Sequence, residues 1–168
     1  MKSKPTTNEI DSRISEAKDA LKEFGYDPAD VSAREFYDYM TGEIFSDDPT
    51  TLQDVLYNKY TLIHELVEIG ELKKQGRKID KHVIMDTPKI PFNTAHFNAM
   101  ETELQYALHK RDTYWAKIRL HQHKKAFWTM IQTFQRSFDQ GQKKCTRNTT
   151  GWPRICPINR QPHESIVT

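Results

Sequence analysis

Glycine is scarce in this chain: there are six in 168 residues and none between Phe92 and Gln140, a stretch that also lacks proline. No glycine-rich phosphate loop can be found among them, so the nucleotide-binding classes that need one are set aside. Cysteine is scarcer. Cys145 and Cys156 both lie near the C-terminal end, and the fold is not expected to rest on disulfides. With His163 they have irregular spacing and no obvious fourth ligand, which argues against a zinc site there. No serine or cysteine stands in a recognisable nucleophile motif. No apolar run approaches a membrane span. The opening Met1-Lys2-Ser3-Lys4-Pro5-Thr6-Thr7-Asn8 lacks the apolar core of a signal peptide. The expectation is a cytoplasmic protein without membrane association.

What is present is charge, and it is polarised. From Glu9 to Asp54 thirteen acidic residues face four basic ones, a net of −9; from Lys110 to Arg160 twelve basic residues face two acidic ones, a net of +10. Such polarity can be compensated within the molecule, can favour a head-to-tail oligomer, or can offer the basic half to a polyanion.

The apolar positions recur at helical spacing. Ile10, Ile14, Ala17, Leu21 and Phe24 form one stripe that Gly25 ends, with Asn8 or Asp11 as the expected cap. Ser32 with Glu35 reads as a capping box opening a second helix, expected to run to about Phe45 and to bury Phe36, Tyr37, Tyr39, Met40 and Ile44. A third helix is expected over 50–75, capped by Thr50 or Thr51 and ended by Gly76. Residues 77–91, with Pro88, Pro91 and the β-branched pair Val83-Ile84, read as a structured connection. Asn93 is the expected cap of a last helix, 93–138. Unbroken, a helix of about 45 residues would reach about 67 Å, so a bend, a break near His121–His123, or a projecting arm is expected. Tyr114, Trp115 and Ile118 are placed on its core side, and Phe127, Ile131, Phe134 and Phe138 continue an aromatic stripe.

This defines an all-α fold: an antiparallel bundle of four or more helices over 1–140, with 50–75 and 93–138 as the main pair, then a basic, irregular tail over 141–168. The length of the last helix suggests a homo-oligomer formed through it.

The candidate site lies in His64-Glu65-Leu66-Val67-Glu68-Ile69-Gly70-Glu71. Residues four and seven apart share a helical face, so His64, Glu68 and Glu71 project from one stripe, with Glu65 beside them. His96 and Glu103, seven apart on the last helix, can face them across an antiparallel pair. Imidazole and carboxylate together suit Zn²⁺, Mn²⁺ or Fe²⁺, and a carboxylate-rich set Mg²⁺ or Mn²⁺. The alternative for the same stripe is a solvated polar face. The zinc-protease pattern H-E-x-x-H is not met, because Glu68 stands where its second histidine belongs. Nor does any histidine have a glutamate three residues before it, as di-iron bundles require.

Glu65-Leu66-Val67-Glu68-Ile69-Gly70-Glu71-Leu72 resembles, over eight residues, the first acidic helix of the all-α nucleotide pyrophosphohydrolases. That family binds Mg²⁺ with a Glu-x-x-Glu pair and a later Glu-x-x-Asp pair. The resemblance implies an ion held by Glu65, Glu68 and Glu71, phosphate met by Lys110 or Arg111, and hydrolysis of a phosphate-containing small molecule. The later pair is missing; the nearest substitutes are Glu101 with Glu103, or His109 with Asp112.

The basic half supports a different reading. Lys117, His121, Lys124 and Lys125 stand among Tyr106, Tyr114, Trp115, Phe127 and Trp128, and cations beside rings are what sequence-tolerant nucleic-acid binding uses. His121 and His123 point roughly 200° apart on a helix and cannot share an ion. Two functions therefore stand side by side. One is a divalent-metal site, conceivably of a hydrolase. The other is a helical interaction module whose basic half binds nucleic acid or an acidic protein.

Overall fold

Thr6 opens the first helix: its hydroxyl accepts from the Glu9 backbone N–H, and α1 (Thr7–Glu23) follows. The computed structural model describes residues 4–44, 50–122 and 124. All but Lys124 belong to one compact unit, Met1–Gln122. The expected boundary at 140, the stripe 127–138, Lys125, His123 and the tail lie outside the described residues.

α2 (Ala33–Met40), α3 (Leu52–Leu56), α4 (Lys59–Lys74), α5 (Val83–Asp86) and α6 (Lys89–His109) complete the series, and residues 113–122 are again helical. No strand occurs among the described residues. The chain is an all-α bundle, as its apolar spacing requires. No described helix is long and apolar enough to cross a membrane.

α4 is the central element. Ile63, Leu66, Val67, Ile69 and Leu72 are all buried, each worth roughly 1.5–3 kcal/mol over an exposed side chain. Gly70 lets the helix approach the loop before α2, since a Cβ there would lie 3.1 Å from the Ala29 Cβ. α4 packs on α1, α2 and α3 and, most extensively, on α6. Its partners run backwards along α6: Tyr60 meets Tyr106, His64 meets Glu103, Glu68 meets His96, and Gln75 reaches Pro91. The pair is antiparallel.

Several helix boundaries differ from the sequence expectation, among them the cap of α1, which is Thr6 and not Asn8 or Asp11. The helix expected over 50–75 is two, because the Asn58 side chain accepts from the Tyr60 and Thr61 backbone N–H groups and starts α4 afresh. α2 stops at Met40 rather than near Phe45. The chain there turns to the 77–82 connection, where the Glu43 N–H donates to the Lys81 carbonyl at 2.8 Å. Gly42 is held so close that a Cβ would fall 2.4 Å from the same oxygen. Ile44 is consequently exposed. α6 begins at Lys89, before the expected cap Asn93. Pro91 falls in its first turn, where a missing N–H costs nothing.

The last helix breaks at 110–112, earlier than expected. Arg111 adopts φ 58°, and the Asp112 and Arg111 N–H groups donate to the carbonyls of Ala107 and Leu108. This is the Schellman cap that Gly25 and Gly76 also form, here with arginine in the left-handed position. Asp112 then caps the next helix through the Trp115 N–H and accepts from the Tyr60 hydroxyl at 2.9 Å. Trp115 stacks on Tyr60. Tyr114, placed by sequence on the core side, is 76% exposed. Val83 and Ile84 form a buried helical turn.

Candidate metal centre

His64, Glu68 and Glu103 are among the few polar side chains buried in the core, with relative exposures of 2%, 3% and 0%. Each must find partners, since an unpaired buried charge costs several kcal/mol. The antiparallel pair supplies them. His64 and Glu68 lie one turn apart on α4, while His96 and Glu103 lie two turns apart on α6. The His64 ring spans the wider gap. Its Nδ1 is 2.9 Å from Glu103 Oε2, and its Nε2 is 3.2 Å from His96 Nδ1 and 3.3 Å from Glu68 Oε2. His96 Nδ1 closes the triangle at 2.6 Å from Glu68 Oε2. His64, Glu68 and His96 thus form a group that could hold a metal ion.

Around this triangle stand residues that the sequence reading did not connect to it. The Tyr39 hydroxyl, from α2, donates to Glu68 Oε1. Glu103 Oε1 accepts from Trp115 Nε1 and Arg119 Nε, both at 2.7 Å, and Oε2 accepts from Arg119 Nη2 at 2.9 Å. Arg119 belongs to the basic half of the sequence, and its spacing of four from Trp115 on one helix is the signal that could have found it. Both residues also line an open cleft of about 400 Å³ with Asn58, Thr61 and Gln122.

The electrostatics follow from burial and pairing. Burial works against a charged His64, but hydrogen bonds to Glu103 and Glu68 outweigh it and lift the imidazole to about 10. Burial likewise opposes ionisation of Glu103, yet His64 and Arg119 hold it down at about 2. Glu68 is pulled below the ordinary carboxylate range by His64 and His96, against its burial. Glu65, beside them, is pushed up to about 7 by burial, with Glu68 and Glu103 adding. Burial raises Tyr39 well above 10, and the neighbouring Glu68 charge adds to it. In the metal-free protein the protonated His64 ring therefore bridges two carboxylates, Nδ1–H donating to Glu103 and Nε2–H facing Glu68.

Of the five sequence-nominated ligands, three converge. Glu103 is bonded to the far nitrogen of His64. Glu71 points elsewhere: it accepts from Lys74 at 2.7 Å, Asn98 at 3.0 Å and Tyr26 at 3.4 Å. Lys117, His121 and Lys124 are exposed.

Comparison with known protein families, with curated proteins and with solved structures finds no match for this chain.

Proposed function

We propose that this chain binds one divalent transition-metal ion through His64 Nε2, Glu68 Oε2 and His96 Nδ1. The observation that carries the reading is the triangle of ligand-type atoms with sides of 3.2, 3.3 and 2.6 Å. A tetrahedral ion with bonds of about 2.0–2.1 Å spaces its ligands roughly 3.3–3.4 Å apart. Two sides already fit; the third opens when the ion replaces the proton between His96 and Glu68. Two imidazoles with one carboxylate favour Zn²⁺ or Mn²⁺ over Mg²⁺, which prefers oxygen.

Three protein ligands leave a coordination position for water, the arrangement of catalytic rather than closed structural zinc sites. Such an ion turns bound water into a nucleophile near neutral pH, so metal-assisted hydrolysis is the activity this site supports best. A phosphate-containing substrate has less behind it. Lys110 and Arg111 lie at the other end of α6 from His96, roughly 21 Å along the helix, and Arg119 is engaged by Glu103.

The test is metal content after purification and after reloading a chelator-stripped sample. About one ion per chain is expected in the wild type and in Glu71→Ala, and none in Glu68→Ala or His96→Ala. Folded His96→Ala protein with wild-type ion content would overturn the reading.

A second reading has one observation in its favour. Tyr114, Lys117 and His121 are all exposed and follow one another at spacings of three and four, the pattern of one helical face. Cations in line with a ring suit a nucleic acid or an acidic partner. Affinity for single-stranded DNA should then fall steeply with salt and with Lys117→Glu. Binding that ignores salt would remove this reading.

A further inference from the structure

We infer that Glu103 is a positioning residue for the ion, held ready by Arg119 and Trp115, and is not itself a ligand. The inference rests on the metal-site reading above and assigns the second layer of that site.

An ionised carboxylate can only accept hydrogen bonds. Glu103 sits 2.9 Å from His64 Nδ1, so that nitrogen keeps its proton, and Nε2, whose proton the ion displaces, supplies the lone pair. The same bond fixes the plane of the ring and aims Nε2 at His96 and Glu68. A histidine ligand whose other nitrogen is tied to a carboxylate is both oriented and made a stronger donor. Glu103 cannot reach the ion itself while so bonded, because the two ring nitrogens face away from each other. Both of its oxygens are moreover engaged by N–H donors, the Trp115 indole and the Arg119 guanidinium among them. Arg119 meets it as a two-pronged fork, the strongest and most directional way to fix a carboxylate.

The geometry thus makes a chain of contacts: Arg119 and Trp115 hold Glu103, Glu103 holds His64, and His64 presents Nε2. Arg119 and Trp115 come from beyond the corner at 110–112, so the segment after that corner completes a site whose ligands all lie on α4 and α6.

The test compares the wild type with Glu103→Gln, which keeps shape and removes charge, and with Trp115→Phe, which removes one donor and leaves the carboxylate. Zn²⁺ affinity is measured by competition with a chelator. Co²⁺ absorption reports the number of ligands, and ¹⁵N–¹H spectra report the protonation of His64. Glu103→Gln is expected to lose 10–100-fold in affinity with an unchanged Co²⁺ spectrum and a shifted His64 Nδ1 resonance. Trp115→Phe should lose less, and its Nδ1 resonance should move in the same direction. A residue that merely supported the fold would lower the melting temperature without moving Nδ1 in the folded protein. Wild-type affinity in Glu103→Gln, or a Co²⁺ spectrum that reports a lost ligand, would overturn the role given to Glu103 and leave the metal site standing. Failure of the wild type to take up Zn²⁺ or Co²⁺ would instead overturn the site, and this inference with it.

Discussion

Glu68 and Glu71 stand three residues apart on α4 and have opposite surroundings. Glu68 is 3% exposed and meets two imidazoles and a tyrosine hydroxyl. Glu71 is partly exposed and meets Lys74, Asn98 and Tyr26. As members of a helical stripe they are equivalent; what separates them is what the neighbouring helices bring. A carboxylate facing a lysine at the surface forms an ion pair worth about 1 kcal/mol or less. A carboxylate facing imidazole nitrogens away from water has few stable states other than sharing a proton or sharing a metal.

The sharpest way to break this comparison is to remove charge on each side of it. In chelator-treated protein, Glu103→Ala leaves the buried His64 and the half-buried Arg119 without their carboxylate and should lower the unfolding free energy by about 3–5 kcal/mol. Glu71→Ala should cost about 1 kcal/mol or less. Equal losses in urea unfolding would show that the buried cluster and the surface cluster are not different in kind. Next in size is the response to metal. Free Zn²⁺ at a hundredfold excess over its dissociation constant should add about 2.7 kcal/mol, which is roughly 5–10 °C in melting temperature for a chain of this length. Glu71→Ala should keep that shift and Glu68→Ala should lose it; a shift that survives in Glu68→Ala places the ion elsewhere.

The pH profile is expected to follow His64. Its folded-state value of about 10 lies above its ordinary 6.5, so its contribution is complete below pH 6.5 and is lost as pH rises toward 10. Between pH 6.5 and 8 the metal-free protein should lose about 2 kcal/mol, and His64→Gln should flatten the decline. Glu103, depressed from 4.5 to about 2, acts at the other limit, where stability falls as pH drops from 4.5 toward 2. A wild-type profile flat from pH 6.5 to 9 would contradict the proton bridge. The smallest effect belongs to the corner. Arg111→Gly relieves a left-handed residue and should add roughly 1 kcal/mol; a loss of stability would mean that the arginine side chain matters more there than its backbone.

Much of the architecture was legible in local signals. The stripe of α1, the Ser32–Glu35 box, the Thr51 cap and the stops at Gly25 and Gly76 all work within one or two turns of chain, and all stand where they were expected. The pairing of His64 and Glu68 with His96 and Glu103 was readable too, because spacings of four and seven keep residues on one face. The breaks were harder to see. At 110–112 an arginine occupies a position that glycine usually marks, and at Asn58 the break depends on one side chain competing with the backbone. Which of the carboxylates of α4 lies away from water was not readable. Its apolar residues run nearly all the way round, and only the register against α6 separates Glu68 from Glu71. Tyr39, Trp115 and Arg119 reach the site from other segments, and only the spacing of four between Trp115 and Arg119 hinted that these two act together.

The most direct measurement is anomalous diffraction from crystals of the full chain soaked in Zn²⁺. The expected result is a single strong peak about 2.0–2.2 Å from His64 Nε2, His96 Nδ1 and Glu68 Oε2, with Glu103 still on His64 Nδ1. A peak at Glu71 or at the exposed pair His82 and Glu43, with none between His64, Glu68 and His96, would contradict the account.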